Sequence, residues 1–182
     1  MKREITKRNK HNGMRPQDIV VLLKIICLKD KSWNYIELSN ALSLSVGEIS
    51  NSLERNAMAS LINPEKTQVN RLALRDFLIY GLKYVFPPQI GASTRGIPTA
   101  HSASPVKEKI AENTENFVWK YYKGTRRGNA ILPLYAKIPQ FIEKDSELYE
   151  LLVIVDTLRI GKSREKEIAI EELDKRLNDN GK

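Results

Sequence analysis

One cysteine, Cys27, is all the thiol this chain possesses. No intrachain disulfide can form, which fits a reducing, cytoplasmic setting. No apolar run is long enough to span a bilayer. The opening MKREITKRNK has no apolar core and does not read as a secretory signal. His101 stands without a neighbouring His, Cys or carboxylate at ligand spacing, so no metal site is expected. Ser93, Thr94 and Ser102 have no identifiable base partner, so no nucleophile is assigned. Gly124 to Gly128 lacks the Gly-Lys-Ser/Thr ending of a phosphate loop. Gly161-Lys162-Ser163 has that ending without the upstream glycine. With no catalytic constellation and no cofactor motif, an enzyme is not the expected class.

What the chain has is positive charge. Its 182 residues carry 30 Lys and Arg against 22 Asp and Glu, a net charge of +8. That excess favours a polyanionic partner. Hydrophobic residues make up 41%, enough to fill one sizeable core or two small ones.

The most informative stretch is Trp33 to Arg55, WNYIELSNALSLSVGEISNSLER. Asn34 can cap a helix, with Glu37 three residues on to reach back and Trp33 placed to staple onto Leu38. The construction repeats at once: Ser45 caps, Glu48 closes the box, and Leu44 can staple onto Ile49. Two short helices joined at Ser43 are the core of a DNA-reading helix-turn-helix. In the second helix Val46, Ile49 and Leu53 are expected inside. Gly47, Asn51, Glu54, Arg55 and Met58 are expected outside, with Ser50 at the edge. An outward Asn can bond an adenine edge through two hydrogen bonds, and Arg can take guanine or phosphate.

LSLSVGEISNSLER resembles the turn and recognition helix of MarR-like winged-helix transcriptional regulators. The family run is Leu-Gly-Leu-Ser, two variable residues, a small residue, Val-Ser-Arg and a Leu. Here Leu42, Ser43, Leu44 and Ser45 are followed by Ile49, Ser50, Asn51 and Leu53. Ser43 stands where Gly is common and Asn51 where Arg is common. The resemblance covers about residues 15–86. It implies a winged helix-turn-helix domain that binds duplex DNA and regulates transcription.

The expected organisation has four parts. Residues 1–14 form a basic flexible arm. Residues 15–86 form the winged domain, with a first helix starting at Pro16 and apolar from Ile19 to Leu28 except for Lys24. Leu61 to Val69 supply a short wing turned at Asn63-Pro64, with Lys66 and Gln68 able to touch phosphate or the minor groove. Asn70 caps a helix whose stripe is Leu74, Phe77, Leu78, Gly81, Leu82 and Val85, with Arg71 and Arg75 near its start. Residues 87–105 hold four prolines and two glycines. They read as a linker or surface strap that cannot hold a central strand. Residues 106–182 form a C-terminal extension. Within it FVWKYY has strand character. KGTRRGN reads as a basic glycine turn, either a solvated hairpin or a place for phosphate and bases. Two helices close the chain, one capped by Asp145 with a Leu148, Leu151, Leu152, Val155 and Leu158 stripe, and one from Ser163 with Ile170, Leu173 and Leu177 inside.

The expectation is therefore a mostly α, sequence-specific DNA-binding regulator. The DNA-facing residues would be Ser45, Gly47, Ser50, Asn51, Glu54, Arg55, Lys66, Gln68 and Arg71. A homodimer through residues 146–177 would set two recognition helices on two half-sites. The alternatives are an interaction protein, antitoxin-like, whose C-terminal half grips a protein partner, and an RNA-binding module built on FVWKYYKGTRR.

Overall fold

A computed structural model describes residues 13–29, 31–110 and 115–178. The basic arm expected at 1–14 thus falls almost wholly outside the described residues. The chain is mostly helical, with one small three-stranded sheet.

Helices α1 (Pro16–Leu28), α2 (Tyr35–Leu42) and α3 (Val46–Met58) come first. The caps behave as local chemistry demands. Asn34 accepts from the Glu37 amide while Glu37 returns a carboxylate to the Asn34 amide, closing the box. Ser45 accepts from the Glu48 amide at 3.1 Å. The second box stays half-made, because Glu48 sends its carboxylate to Gln17, Arg15 and Arg55 instead. Ser43 ends α2 in the left-handed conformation, with φ of 53°.

The expected wing is tighter than two strands. One bridge, Ile62 to Val69, closes it. The Asn63 side-chain oxygen accepts from the Thr67 and Gln68 amides at 2.8 and 2.9 Å and shapes the turn in place of a ladder. Then α4 (Arg71–Asp76), capped by Asn70, passes through a π turn at Phe77–Gly81 into α5 (Leu82–Val85). The extra residue in that turn re-phases the apolar stripe. Leu74, Leu78 and Leu82 are buried, while Val85, expected on the stripe, is exposed.

The segment expected to be irregular holds a strand. β1 (Ile90–Pro98) pairs with both β2 (Phe117–Lys120) and β3 (Arg126–Ile131) in antiparallel fashion. β2 and β3 then pair in parallel, so the three strands close on one another. The prolines do not prevent this, because Pro98 is the last strand residue. The glycines permit it. A Cβ on Gly96 would lie 2.0 Å from the Trp119 carbonyl oxygen, and one on Gly124 would lie 2.2 Å from the Gly96 carbonyl carbon. The 121–125 connection is therefore no hairpin. It crosses β1 where two backbones touch, and only glycine fits there.

α6 (Ile138–Phe141) is a single turn leading to α7 (Ser146–Ile160) and α8 (Ser163–Asn178). Asp145 caps α7 through the Leu148 amide. α7 carries more than a stripe, since every residue from Leu151 to Arg159 is buried. It packs against α1, α5 and α8 and against the short turn after β1. Its two buried charges are matched. Asp156 accepts from Arg159, Thr99 and Trp119 at 2.7–2.8 Å.

α8 folds back onto the N-terminal helices. Arg75 forms a two-pronged pair with Asp174, and Arg71 donates to the Leu177 carbonyl. One contiguous core runs from Ile19 to Leu177. The apolar sides of α7 and α8, expected at a dimer interface, are covered by their own chain.

Candidate nucleic-acid interface

The face that could meet a nucleic acid is built on α3. Ile49 and Leu53 are fully buried and seat the helix, as Ser52 and Asn56 also do. Asn56 donates its amide to the Asp18 carbonyl, so a polar residue lies on the inner side. Val46, expected inside, is 44% exposed. The inward line thus runs through positions 49, 52, 53 and 56. Facing solvent are Ser45, Gly47, Asn51, Glu54 and Met58, with Ser50 half-buried beside them. A Cβ added at Gly47 would meet nothing within 4 Å, so the helix start is open to close approach.

Arg55 departs from expectation. It is 6% exposed and turned inward. Its Nε and Nη2 donate to the two carboxylate oxygens of Asp18 at 2.8 and 2.7 Å, and Nη2 also reaches Glu48 at 2.9 Å. The hydrogen bond to Asp18 outweighs burial and, with Glu48, raises the Arg55 pKa. Asp18 is fully buried in the first turn of α1 and also accepts from the Arg15 amide. The guanidinium expected on the outer face is therefore the bolt joining α3 to α1.

Two other cations are tied down. Lys66 bonds Glu54, bridging the 62–69 turn to α3. Arg71 is committed to the C-terminus of α8. Gln68 remains exposed, with its backbone held by Asn63. Of the expected set, α3 gathers Ser45, Gly47, Ser50, Asn51 and Glu54 on one side. Lys66 joins them through Glu54, while Arg55 and Arg71 serve the interior and the helix-to-helix seam.

The C-terminal half contributes residues at the α2–α3 turn that were not anticipated. The Tyr135 hydroxyl donates to the Ser43 carbonyl at 3.0 Å and the Lys137 ammonium does so at 3.1 Å. Lys137 is exposed, which places a cation beside the start of α3. The 92- and 94-residue separations leave no local signal for these bonds.

The remaining chemistry-bearing groups are quiet. Burial, with Asp145 adding to it, pushes the Cys27 thiol up to about 12. Cys27 is thus a packing residue rather than a nucleophile. His101 is buried edge-on against Phe117, with Nε2 on the Glu115 carbonyl. Among the described residues no group of three His, Cys, Asp or Glu could hold a metal ion, and no helix is long and apolar enough to cross a membrane. No family model, curated protein or solved structure matches this chain, so the reading of this face stands on its own geometry.

Proposed function

We propose that the chain is a winged-helix, sequence-specific duplex-DNA-binding protein that regulates transcription, with α3 entering the major groove. The observation that carries this reading is the outer side of α3. It is polar, open and free of core duty at Ser45, Gly47, Ser50 and Asn51, on a helix locked from beneath by the Arg55–Asp18 pair. Asn51 has the donor and acceptor that an adenine edge requires. Gly47 lets backbone come close to phosphate, and the first-turn amides of α3 carry the positive end of its dipole. Lys137 supplies the cation at that end. The order α1, α2, α3, a closed turn at 62–69 and then α4 supports the winged-helix arrangement. The apolar sides of α7 and α8 are inside the chain, so this reading draws no support from a dimer contact there.

The test is selection of bound duplexes from a random library, followed by affinity measurement on the enriched site. Asn51→Ala is expected to lose about 1–3 kcal/mol on that site and to relax preference at one position. Failure to enrich any sequence would overturn the reading. Equal losses on enriched and random duplexes would remove Asn51 from base readout.

A further inference from the structure

A second charged surface lies on the three-stranded barrel, and the reading of α3 does not use it. Arg95 on β1 and Arg127 on β3 are direct register partners. Partners in an antiparallel pair share a face, with Cβ atoms about 5 Å apart. Both are exposed, so two guanidinium groups sit side by side on one face. Lys120 and Arg126 are both register partners of Gly96, one on each side of β1, and both are exposed.

Many cations elsewhere in the fold are engaged internally. Lys24, Arg55, Lys66, Arg75, Arg159 and Arg176 each hold a carboxylate. Arg95, Lys120, Arg126 and Arg127 have no carboxylate partner among the described residues. Like charges directly opposite on neighbouring strands cost stability. Two exposed guanidinium groups with no internal counter-ion among the described residues leave this face open to an external polyanion.

Two features narrow the polyanion's chemistry. Tyr122 is 75% exposed at the tip of the β2–β3 crossing, with the Lys123 ammonium 5.4 Å from its ring centre and the Tyr121 ring edge-on behind it. An exposed ring beside cations is a stacking platform for an unpaired base. A polar cleft of about 200 Å³ opens on the same barrel, lined by Ser102, Lys107, Asn116, Thr125, Arg126 and Arg127. It offers cations and neutral polar groups together to a phosphate. A duplex keeps its bases stacked and would leave Tyr122 unused. An acidic protein segment would have no need of the ring.

We infer that this barrel face binds single-stranded nucleic acid, with the backbone on the Arg95–Arg127 pair and a base on Tyr122. This site is separate from α3 and stands or falls independently of the duplex reading.

The experiment is fluorescence anisotropy of the full chain with a labelled single-stranded oligonucleotide of mixed sequence, across a salt series. The double variant Arg95→Gln, Arg127→Gln is expected to bind about tenfold or more weakly. Its salt dependence should be shallower by about 1.4 in log-log slope, about 0.7 for each phosphate no longer neutralised. Its thermal midpoint should stay level or rise, because the facing charges are gone. Tyr122→Ala should lose about fivefold or more with the slope unchanged. Asn51→Ala should leave strand affinity unaltered. Strand binding untouched in either barrel variant would overturn the inference. So would a fall in the double variant's thermal midpoint in step with its affinity. A duplex of equal phosphate content, or polyglutamate, competing as well as unlabelled strand would overturn it in favour of those partners.

Discussion

Arg55 grips Asp18 with two parallel hydrogen bonds, 2.8 and 2.7 Å long, in a site closed to water. The pair spans 37 residues and fixes the angle at which α3 leaves the body of the protein. Glu48 closes the third side of the guanidinium. A planar, forked donor matches a carboxylate in a way that a lysine ammonium cannot.

Removing one partner strips the other buried charge of its main counter-ion, leaving Arg55 with Glu48 alone or Asp18 with the Arg15 amide. Asp18→Ala and Arg55→Ala are each expected to cost about 3–5 kcal/mol in urea unfolding. Arg55→Lys should recover only part of that loss. On duplex DNA, Arg55→Ala should lower the folded fraction, while the protein that remains folded keeps its sequence preference. A changed base preference in folded Arg55→Ala protein would return Arg55 to the reading face.

What could be read in the sequence was what is local. Asn34, Ser45, Asn70 and Asp145 all cap, because a cap is decided within three residues. The direction of Arg55 was not legible. A helical wheel treats arginine as an outside residue, and the acid that turns it inward lies in another helix. The inward direction of Asp156 and Arg159 was no more legible. Two charges on α7 suggest a solvated side, yet they neutralise each other inside. β1 was hidden by its own glycines and prolines. Gly96 reads as a strand breaker until Gly124 is known to cross it with the two backbones touching. The cationic face of the barrel was half visible, as Lys123, Arg126 and Arg127. The register that sets Arg95 opposite Arg127 is a property of the fold alone.

The seam between α8 and the rest should respond to acid. Burial pushes the Glu172 carboxyl up, but hydrogen bonds from Lys109, Lys175 and Arg176 outweigh it and hold the group down at about 2. Asp174 is also held below the usual carboxylate range, mainly by its bonds with Arg75. A depressed carboxylate stabilises the fold fully above its unfolded value. That contribution is lost as pH falls from about 4.5 toward 2. Amide exchange in α8 should therefore accelerate across this window before exchange in α1 or α7 does. Glu172→Gln should cost about 1.5–3 kcal/mol near neutrality and flatten the pH dependence. Simultaneous exchange of all three helices at every pH would contradict a separable seam.

The barrel is fastened to α7 through Trp119, whose indole N–H donates to Asp156 at 2.7 Å. Thr99 shares the same carboxylate oxygen, and Arg159 holds the other oxygen while reaching toward the Phe86, Pro87 and Leu132 carbonyls. Trp119→Phe keeps most of the ring's packing and removes one donor. It should cost about 1–3 kcal/mol by the penalty for an under-bonded buried acceptor, together with a small packing loss. Asp156→Ala strands Arg159 and Trp119 together and should cost more, about 3–5 kcal/mol. Thermal unfolding of both variants orders them. Equal midpoints for Asp156→Ala and wild type would show that the network carries no stability.

Glu54 is the one acid on the outer side of α3, and it is bonded to Lys66. For the duplex contact proposed for α3 this pair is self-cancelling, because the carboxylate would repel the phosphates and it also occupies the nearest cation of the 62–69 turn. The Glu54 side chain is 57% exposed, so the pair itself is worth little to the fold. Glu54→Gln removes the negative charge and releases Lys66. Folding stability should shift by less than about 1 kcal/mol. Affinity for duplex DNA of any sequence should rise several-fold, with the salt dependence steeper by about 0.9 for one more phosphate neutralised. Lys66→Ala should leave wild-type affinity nearly unchanged, because the ammonium is already engaged, yet it should abolish the increase in a Glu54→Gln background. The double-mutant cycle on a random duplex measures this coupling directly. If Glu54→Gln instead weakens binding to one enriched sequence and spares the others, Glu54 accepts from a cytosine amine in the groove, and its bond to Lys66 breaks on binding.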